Sequence, residues 1–260
     1  MDSAVEYHSE QASEFSHQHS LLDENNYFAS PFVYGRWRIR EALERLLPSV
    51  GDGRRLVDIG SGTGEELALY LGAGYDVVGV EPATKMRAEA LRRHQELTGR
   101  VLDGAGESLP LESASADFIL SIEVLRYIQD PVPFGTEVHR VLRPGGSWLF
   151  TVSPPTNWTL GAPLNWARCR GLPLPFLQPI RQYWHTVGRL RGLARESRLR
   201  LDALLPVNYL DFPGMVLYNL SPRLGAQWAR LFHPLWQWME RRHVMGGLAG
   251  YYVVGMQKNG

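Results

Sequence analysis

Gly60, Gly62 and Gly64 stand between an apolar run, Leu56-Val57-Asp58-Ile59, and the acidic pair Glu65-Glu66. The order reads as a buried strand, a glycine turn and the opening of a helix. Glycines without a Cβ let the backbone turn tightly and approach a ligand closely. The N–H groups and the dipole of the helix opening face that ligand. A second apolar run, Val77-Val78-Gly79-Val80, ends on Glu81, whose carboxylate can accept hydrogen bonds from two ribose hydroxyls. The combination is a pocket for an adenosine-type ligand, at the strand edge where open α/β sheets bind nucleotides. In a dinucleotide loop the glycines run G-x-G-x-x-G. Here Glu65 holds the third glycine position, and Glu65 and Glu66 would oppose a diphosphate. A ligand with a sulfonium, an ammonium and one carboxylate meets no such conflict. No Gly-Lys-Ser/Thr follows, so the loop is not a phosphate-binding Walker loop. The glycines alone also fit a tight turn with no ligand; Glu81 argues against that.

Four segments in order carry a resemblance. LVDIGSGTGEELALYL (56–71) resembles the first motif of the class I S-adenosylmethionine-dependent methyltransferases. VVGVEPATKM (77–86) resembles their second strand with its ribose-binding acid. GESLPLESASADFILSIEVLRYIQDP (106–131) and EVHRVLRPGGSWLFTV (137–152) resemble their fourth and fifth strands. The look is that of the small-molecule branch that includes ubiquinone and menaquinone biosynthesis methyltransferases. It covers residues 36–153 closely and the C-terminal part loosely.

The resemblance implies S-adenosylmethionine as cofactor and S-adenosylhomocysteine as product. It implies that Asp58 and Gly60 line the methionine end, that Ser61, Gly62 and Gly64 shape the loop, and that Glu81 and Pro82 hold the ribose side. Met86 would lie along the adenosine, and Gly106, Glu107 and Ser108 would flank the adenine edge. Ser121, Ile122 and Glu123 would face the cofactor from the fourth strand. Two departures stand out. Ala105 replaces the aspartate that takes the adenine amino hydrogens in much of the family, and Arg126 and Tyr127 replace a Glu-His pair.

Those residues need a frame. The 260 residues suit one α/β domain with insertions. Strands are expected at 54–59, 75–80, 100–103, 116–122, 147–152 and 199–204. Helices are expected at 36–47, after the glycine loop to about residue 72, and at 82–97, 132–142 and 187–197. This alternation predicts a doubly wound, mostly parallel sheet. The resemblance adds a seventh, antiparallel strand at 251–256, giving a seven-stranded Rossmann-like methyltransferase fold. We divide the chain into an N-terminal arm or lid (1–35), a cofactor-binding core (36–153) and a remainder with aromatic-rich, substrate-side insertions (154–260), one domain overall. The insertion at 154–182 is rich in proline and aromatics and has no clear periodicity. The segment 225–242 reads as an amphipathic helix, with Trp228, Leu231, Phe232, Leu235, Trp236 and Met239 at spacings of three and four.

Composition narrows function further. Lys and Arg number 27 against 27 Asp and Glu, which argues against a nucleic-acid binder. Cys169 is the only cysteine, so no intrachain disulfide forms and a reducing, cytoplasmic setting is natural. No secretory signal or transmembrane-length apolar run is apparent. Trp and Arg interleave near residue 166 and along 230–242, a pattern of membrane surfaces. Glu240 among the arginines mixes the sign of that face and argues against peripheral membrane contact.

For chemistry beyond the cofactor, His185 is the candidate general base; the alternative is a residue beside the helix cap Thr186. Tyr27, Tyr34, Glu123, Tyr127, Trp158 and Trp184 are the candidate substrate-side residues, with packing of the first helix as the alternative for the first two. His8, His17, His19 and His94 read as exposed bystanders, and no metal framework accompanies them. The expected activity is methyl transfer to a small, partly apolar or aromatic metabolite, with oxygen favoured over nitrogen or carbon. The rivals are a cofactor-binding scaffold without turnover and, more weakly, a nucleotide-dependent oxidoreductase.

Overall fold

The computed structural model describes residues 2–20, 26–158, 160–168, 181–210 and 212–260. The stretch 169–180, with Cys169, Pro173, Pro175, Phe176 and Pro179 of the insertion, lies outside them, as do the side chains of His19 and a few neighbours.

Seven strands form one sheet: β1 (Arg55–Ile59), β2 (Asp76–Val80), β3 (Val101–Leu102), β4 (Ala116–Ser121), β5 (Leu142–Val152), β6 (Leu199–Val207) and β7 (Tyr251–Lys258), in the order β3-β2-β1-β4-β5-β7-β6. β1 to β5 pair in parallel, and β7 runs antiparallel between β5 and β6. Strand order reverses between β1 and β4, so the crevice at their carboxyl ends is the binding edge.

Strand residues alternate between two apolar layers, as the two-residue period of a strand requires. Val57, Ile59 and Trp148 pack on one face against Phe134 and Val138 of α6 (Val132–Val141) and Leu190 and Leu193 of α8 (Val187–Glu196). Leu56, Leu120 and Leu149 pack on the other against Ile39 and Leu43 of α3 (Pro31–Leu43) and Leu67 of α4 (Glu65–Gly72). α5 (Thr84–Arg93) follows β2.

Several boundaries differ from the sequence expectation. α3 begins five residues early because Pro31 occupies its first turn and the Ser30 hydroxyl accepts from Val33 N at 3.1 Å. β5 absorbs the Pro144-Gly145-Gly146 turn: its pairing with β4 slips between Ala116 and Phe118, and the extra residues bulge. Residues expected as an arm form two helices, α1 (Asp2–Glu10) and α2 (Ala12–Ser20). Val5, Ala12 and Phe15 of these helices pack on Ala83 and Met86.

The C-terminal insertions are helical. α7 (Gly161–Arg168) lies in the proline-rich segment, and α9 (Phe212–Leu220) and α10 (Pro222–Arg242) form a hairpin. α9 escaped the sequence reading because it is apolar nearly all round. A third apolar cluster, with Tyr34, Tyr209, Tyr218, Trp236 and Met239, fixes the hairpin to α3. At its base Arg38 and Glu240, each 2% exposed, form an ion pair. The Glu240 carboxylate also accepts from Asn208 N at 2.8 Å. Burial pulls the Arg38 guanidinium down, but the hydrogen bond and charge of Glu240 outweigh it and raise it above its ordinary value.

Candidate active site

The glycine loop closes the carboxyl end of β1. Gly60, Gly62 and Gly64 have φ of 75°, 54° and 84°, a region that glycine occupies without strain. Gly60 N donates to Val80 O at 2.7 Å, which locks the loop to the end of β2. The Glu81 carboxylate accepts from Gly62 N at 3.0 Å and from Ala83 N at 2.8 Å. Two backbone donors thus orient Glu81 toward the crevice. Burial nonetheless raises its carboxyl above the usual range, against those two donors and Arg87. α4 starts at Gly64 with no side-chain cap, leaving first-turn N–H groups at the loop.

Glu65 and Glu66, which the sequence presents as two bare negative charges, are ion-paired. Glu65 meets Arg93 at 3.2 Å, and Glu66 meets Arg36 at 2.6 Å and Arg40 at 3.3 Å. Their opposition to a diphosphate is therefore weaker than their sequence positions suggest. The third acid beside the loop is Asp58, buried at the end of β1. Burial drives its carboxyl well above the usual carboxylate range; Glu66 adds to the rise, Arg36 opposes it and Glu81 adds again. A buried carboxylate with this surplus of negative neighbours favours a cationic group, such as the ammonium of an amino acid.

The loop opens onto a cavity of about 680 Å³, within the roughly 300–1,000 Å³ of small-molecule sites. The residues fit S-adenosylmethionine on observations of this chain. Ser61 Oγ is buried, lines the cavity and has no hydrogen-bond partner among the described residues. Gly106 lines the far wall where a Cβ would strike Phe134 at 2.0 Å.

The other end of the cavity is built from distant segments. Glu123 ends the β4 crossover at φ 66°, a costly conformation for a residue with a side chain. Its N–H donates to Thr151 Oγ1 at 2.7 Å. Its carboxylate accepts from Arg126 Nη1 at 2.5 Å and from Tyr251 OH at 3.5 Å. Arg126 Nη2 donates to Gln182 Oε1 at 2.7 Å, and Arg126 Nε is buried with no partner among the described residues. Burial lowers this guanidinium, yet Glu123 and two tyrosines more than compensate and raise it. His8 of α1 sits edge-on to Tyr127 at 5.1 Å. Burial first, and Arg126 second, push its imidazole down to about 4. Phe212, Met215 and Val216 of α9 supply apolar wall.

Of the residues singled out from the sequence, Asp58, Gly60, Ser61, Gly62, Glu81, Pro82, Met86, Gly106, Ile122, Glu123, Tyr127 and Trp184 line this cavity. The others lie elsewhere. Gly64 packs toward Leu97. Ser121 is fully buried and accepts from Trp148 Nε1 at 2.6 Å. Glu107 and Ser108 lie beyond Ala105 and Gly106, which are the lining residues of that turn. Tyr27 and Tyr34 sit beneath the site: Tyr27 OH donates to Glu41 at 3.0 Å, and Tyr34 OH pairs with His233 Nδ1 at 3.1 Å. Trp158 packs on Tyr209.

His185 is buried outside the lining, its Nε2 against the Leu125 carbonyl at 3.1 Å. That carbonyl can only accept, so Nε2 carries the proton there. Burial lowers the imidazole, with the carbonyl opposing. Its placement is that of a brace between the loop after β4 and α8. His8, by contrast, is a wall of the cavity and no bystander. Arg36, Gln182, Asn208 and Tyr251 also line it and carry no local sequence signal. Among the described residues no group of three or more His, Cys, Asp or Glu is placed to hold a metal.

Comparison with known proteins bears on the fold and the family. Residues 57–150 match a family model described as a methyltransferase domain. An uncharacterized methyltransferase of Mycobacterium marinum is 30% identical over 196 residues, covering 72% of this chain and 68% of that one. A methyltransferase described as a possible histamine N-methyltransferase, from Thermotoga maritima, superposes with a TM-score of 0.61 at 19% identity, over 98% of this chain and 99% of that one. An S-adenosylmethionine-dependent methyltransferase from Mesorhizobium loti superposes with a TM-score of 0.57 at 21% identity, over 84% and 96%. The chain belongs to the class I S-adenosylmethionine-dependent methyltransferases.

Proposed function

We propose that this methyltransferase acts in the cytoplasm on a small, partly apolar or aromatic metabolite, and that the acceptor atom is oxygen. The observation that carries the reading is the single cavity in which the Gly60–Glu81 end meets an apolar end walled by Phe212, Met215 and Val216. Bound S-adenosylmethionine supplies an electrophilic methyl group whose leaving sulfur is neutral. The chain's residues then position, desolvate and accept a proton. Asp58 and the loop hold the amino-acid end; Glu81 takes the ribose hydroxyls. Orientation of this kind contributes as much as roughly 7–11 kcal/mol in favourable cases.

A hydroxyl acceptor must lose its proton. At the acceptor end the groups that can take it are the Glu123 carboxylate and the His8 imidazole; with its pKa pushed down to about 4, the imidazole is a weak base, which suits an acidic hydroxyl such as a phenol or enol. A panel of phenols, aliphatic alcohols and amines, assayed by S-adenosylhomocysteine release, tests this. Turnover is expected with aromatic or enolic hydroxyls. Turnover confined to amines overturns the oxygen assignment.

A further inference from the structure

The outer face of α10 carries large apolar side chains that are about half exposed or more. Leu224, Leu231, Leu235 and Trp238 are 49%, 71%, 48% and 51% exposed. Their spacings of seven, four and three hold one stripe along a helix of 3.6 residues per turn. Arg223, Arg230 and Arg241, one residue before Leu224, Leu231 and Arg242, form a second row beside the first. Across the turn at Ser221, α9 continues the apolar surface with Leu220, Val216 and Phe212, which are 74%, 38% and 42% exposed. Large exposed apolar patches on a folded surface mark a binding face.

Charge identifies the occupant. Between residues 212 and 245 stand four arginines, Arg223, Arg230, Arg241 and Arg242, and two histidines, His233 and His243, against a single acid, Glu240. In sequence Glu240 gives the helix mixed sign. In the fold it is 2% exposed and turned inward onto Arg38, so α10 presents no exposed carboxylate and its exposed charges are arginines. A leucine and tryptophan stripe flanked by arginines is the pattern of a helix lying in a lipid interface, and no helix of the described residues is long and apolar enough to cross a membrane. α9 also ties this face to the site, since Phe212 and Val216 line the cavity as well.

We infer that the α9–α10 face docks this enzyme reversibly on an anionic lipid bilayer, with Leu231, Leu235 and Trp238 in the interface and the arginine row on the headgroups. The full chain is floated with vesicles of phosphatidylcholine, or of phosphatidylcholine mixed with phosphatidylglycerol, at low and high salt. The protein is expected to float with the anionic vesicles and to be released by salt, with each arginine worth roughly fivefold in partitioning. Leu231→Glu with Leu235→Glu should abolish flotation, and Arg223→Gln with Arg241→Gln should reduce it, both with unchanged S-adenosylhomocysteine affinity by calorimetry. If the glutamate pair fails to fold, Leu231→Gln replaces it and should still weaken flotation. Protein that stays with the soluble fraction overturns the inference, as does flotation that both variant sets leave intact. So does a dimer in sedimentation that the leucine variants dissociate while no vesicle binds, because the face would then belong to a second copy.

Discussion

At the cofactor end of the cavity the wall is built around backbone: Gly60 and Gly62 at positive φ, the N–H groups of Gly62 and Ala83 on Glu81, and the uncapped start of α4. At the acceptor end it is side chains drawn from α1, the loop after β4, Gln182, α9 and Tyr251. The first end rests on a parallel sheet buried on both faces. The second rests on a helical hairpin held by one aromatic cluster and one buried ion pair. A backbone cradle tolerates change in the chain around it and fixes one ligand. A side-chain wall is readily rebuilt, which is how one cofactor can serve many acceptors.

The largest effect should come from the hairpin's anchor. Arg38→Met leaves Glu240 buried with Asn208 N–H as its remaining described partner, and breaking a buried pair in this way costs about 3–5 kcal/mol. Thermal denaturation should show that loss. If the two ends are separately supported, S-adenosylhomocysteine still binds the folded variant in the cold. Loss of cofactor binding in proportion to stability would show instead that hairpin and sheet are one cooperative unit.

Gly60→Ala tests the other end. An added Cβ at Gly60 lies 2.5 Å from Val124 Cγ2, and the φ of 75° disfavours any side chain. Left-handed backbone costs an L-residue roughly 1–2 kcal/mol, so cofactor affinity should fall by about tenfold or more, with the thermal midpoint changed less than in Arg38→Met. Calorimetric titration with S-adenosylhomocysteine reads this directly. Unchanged affinity would mean that the loop's conformation is not what holds the ligand.

The same contrast explains what could be read in advance. The cofactor end is written in contiguous residues: Leu56 to Glu66 contain the strand, turn and helix start, and Glu81 lies one strand away. Alternating apolar runs and helical segments carry the doubly wound, mostly parallel sheet, while the antiparallel β7 comes from the resemblance. The acceptor end depends on pairs far apart in the chain, such as Arg38 with Glu240, 202 residues away, and Tyr251 with Glu123, 128 away. No local spacing signals them. His185 drew attention through its place before a capped helix, yet burial beside the Leu125 carbonyl gives it a partner in the protein. His8 reads as a solvated residue in sequence because its environment comes largely from Phe15 of α2, Tyr127 and Arg126, all outside the helix it belongs to. Glu240 misled in the opposite direction: its charge counts on paper and is absent from the surface.

His8 also gives the smallest and most selective test of the acceptor end. Its imidazole is depressed from 6.5 to about 4, chiefly by burial and then by Arg126. The unfolded or undocked segment therefore binds a proton that the docked segment excludes throughout that window. Docking of α1 is favoured as pH rises, fully present above about 6.5 and lost progressively toward 4. Amide-exchange protection of residues 2–10 should fall across that range in the wild type, while protection in β1 and β4 stays high. His8→Phe keeps the aromatic contact with Tyr127 and removes the titration, so its protection should be flat with pH. Equal loss of protection in both proteins would show that other groups govern the segment. A flat wild-type profile would mean that α1 stays over the cavity with His8 charged, against the energetic cost of placing that charge beside Arg126.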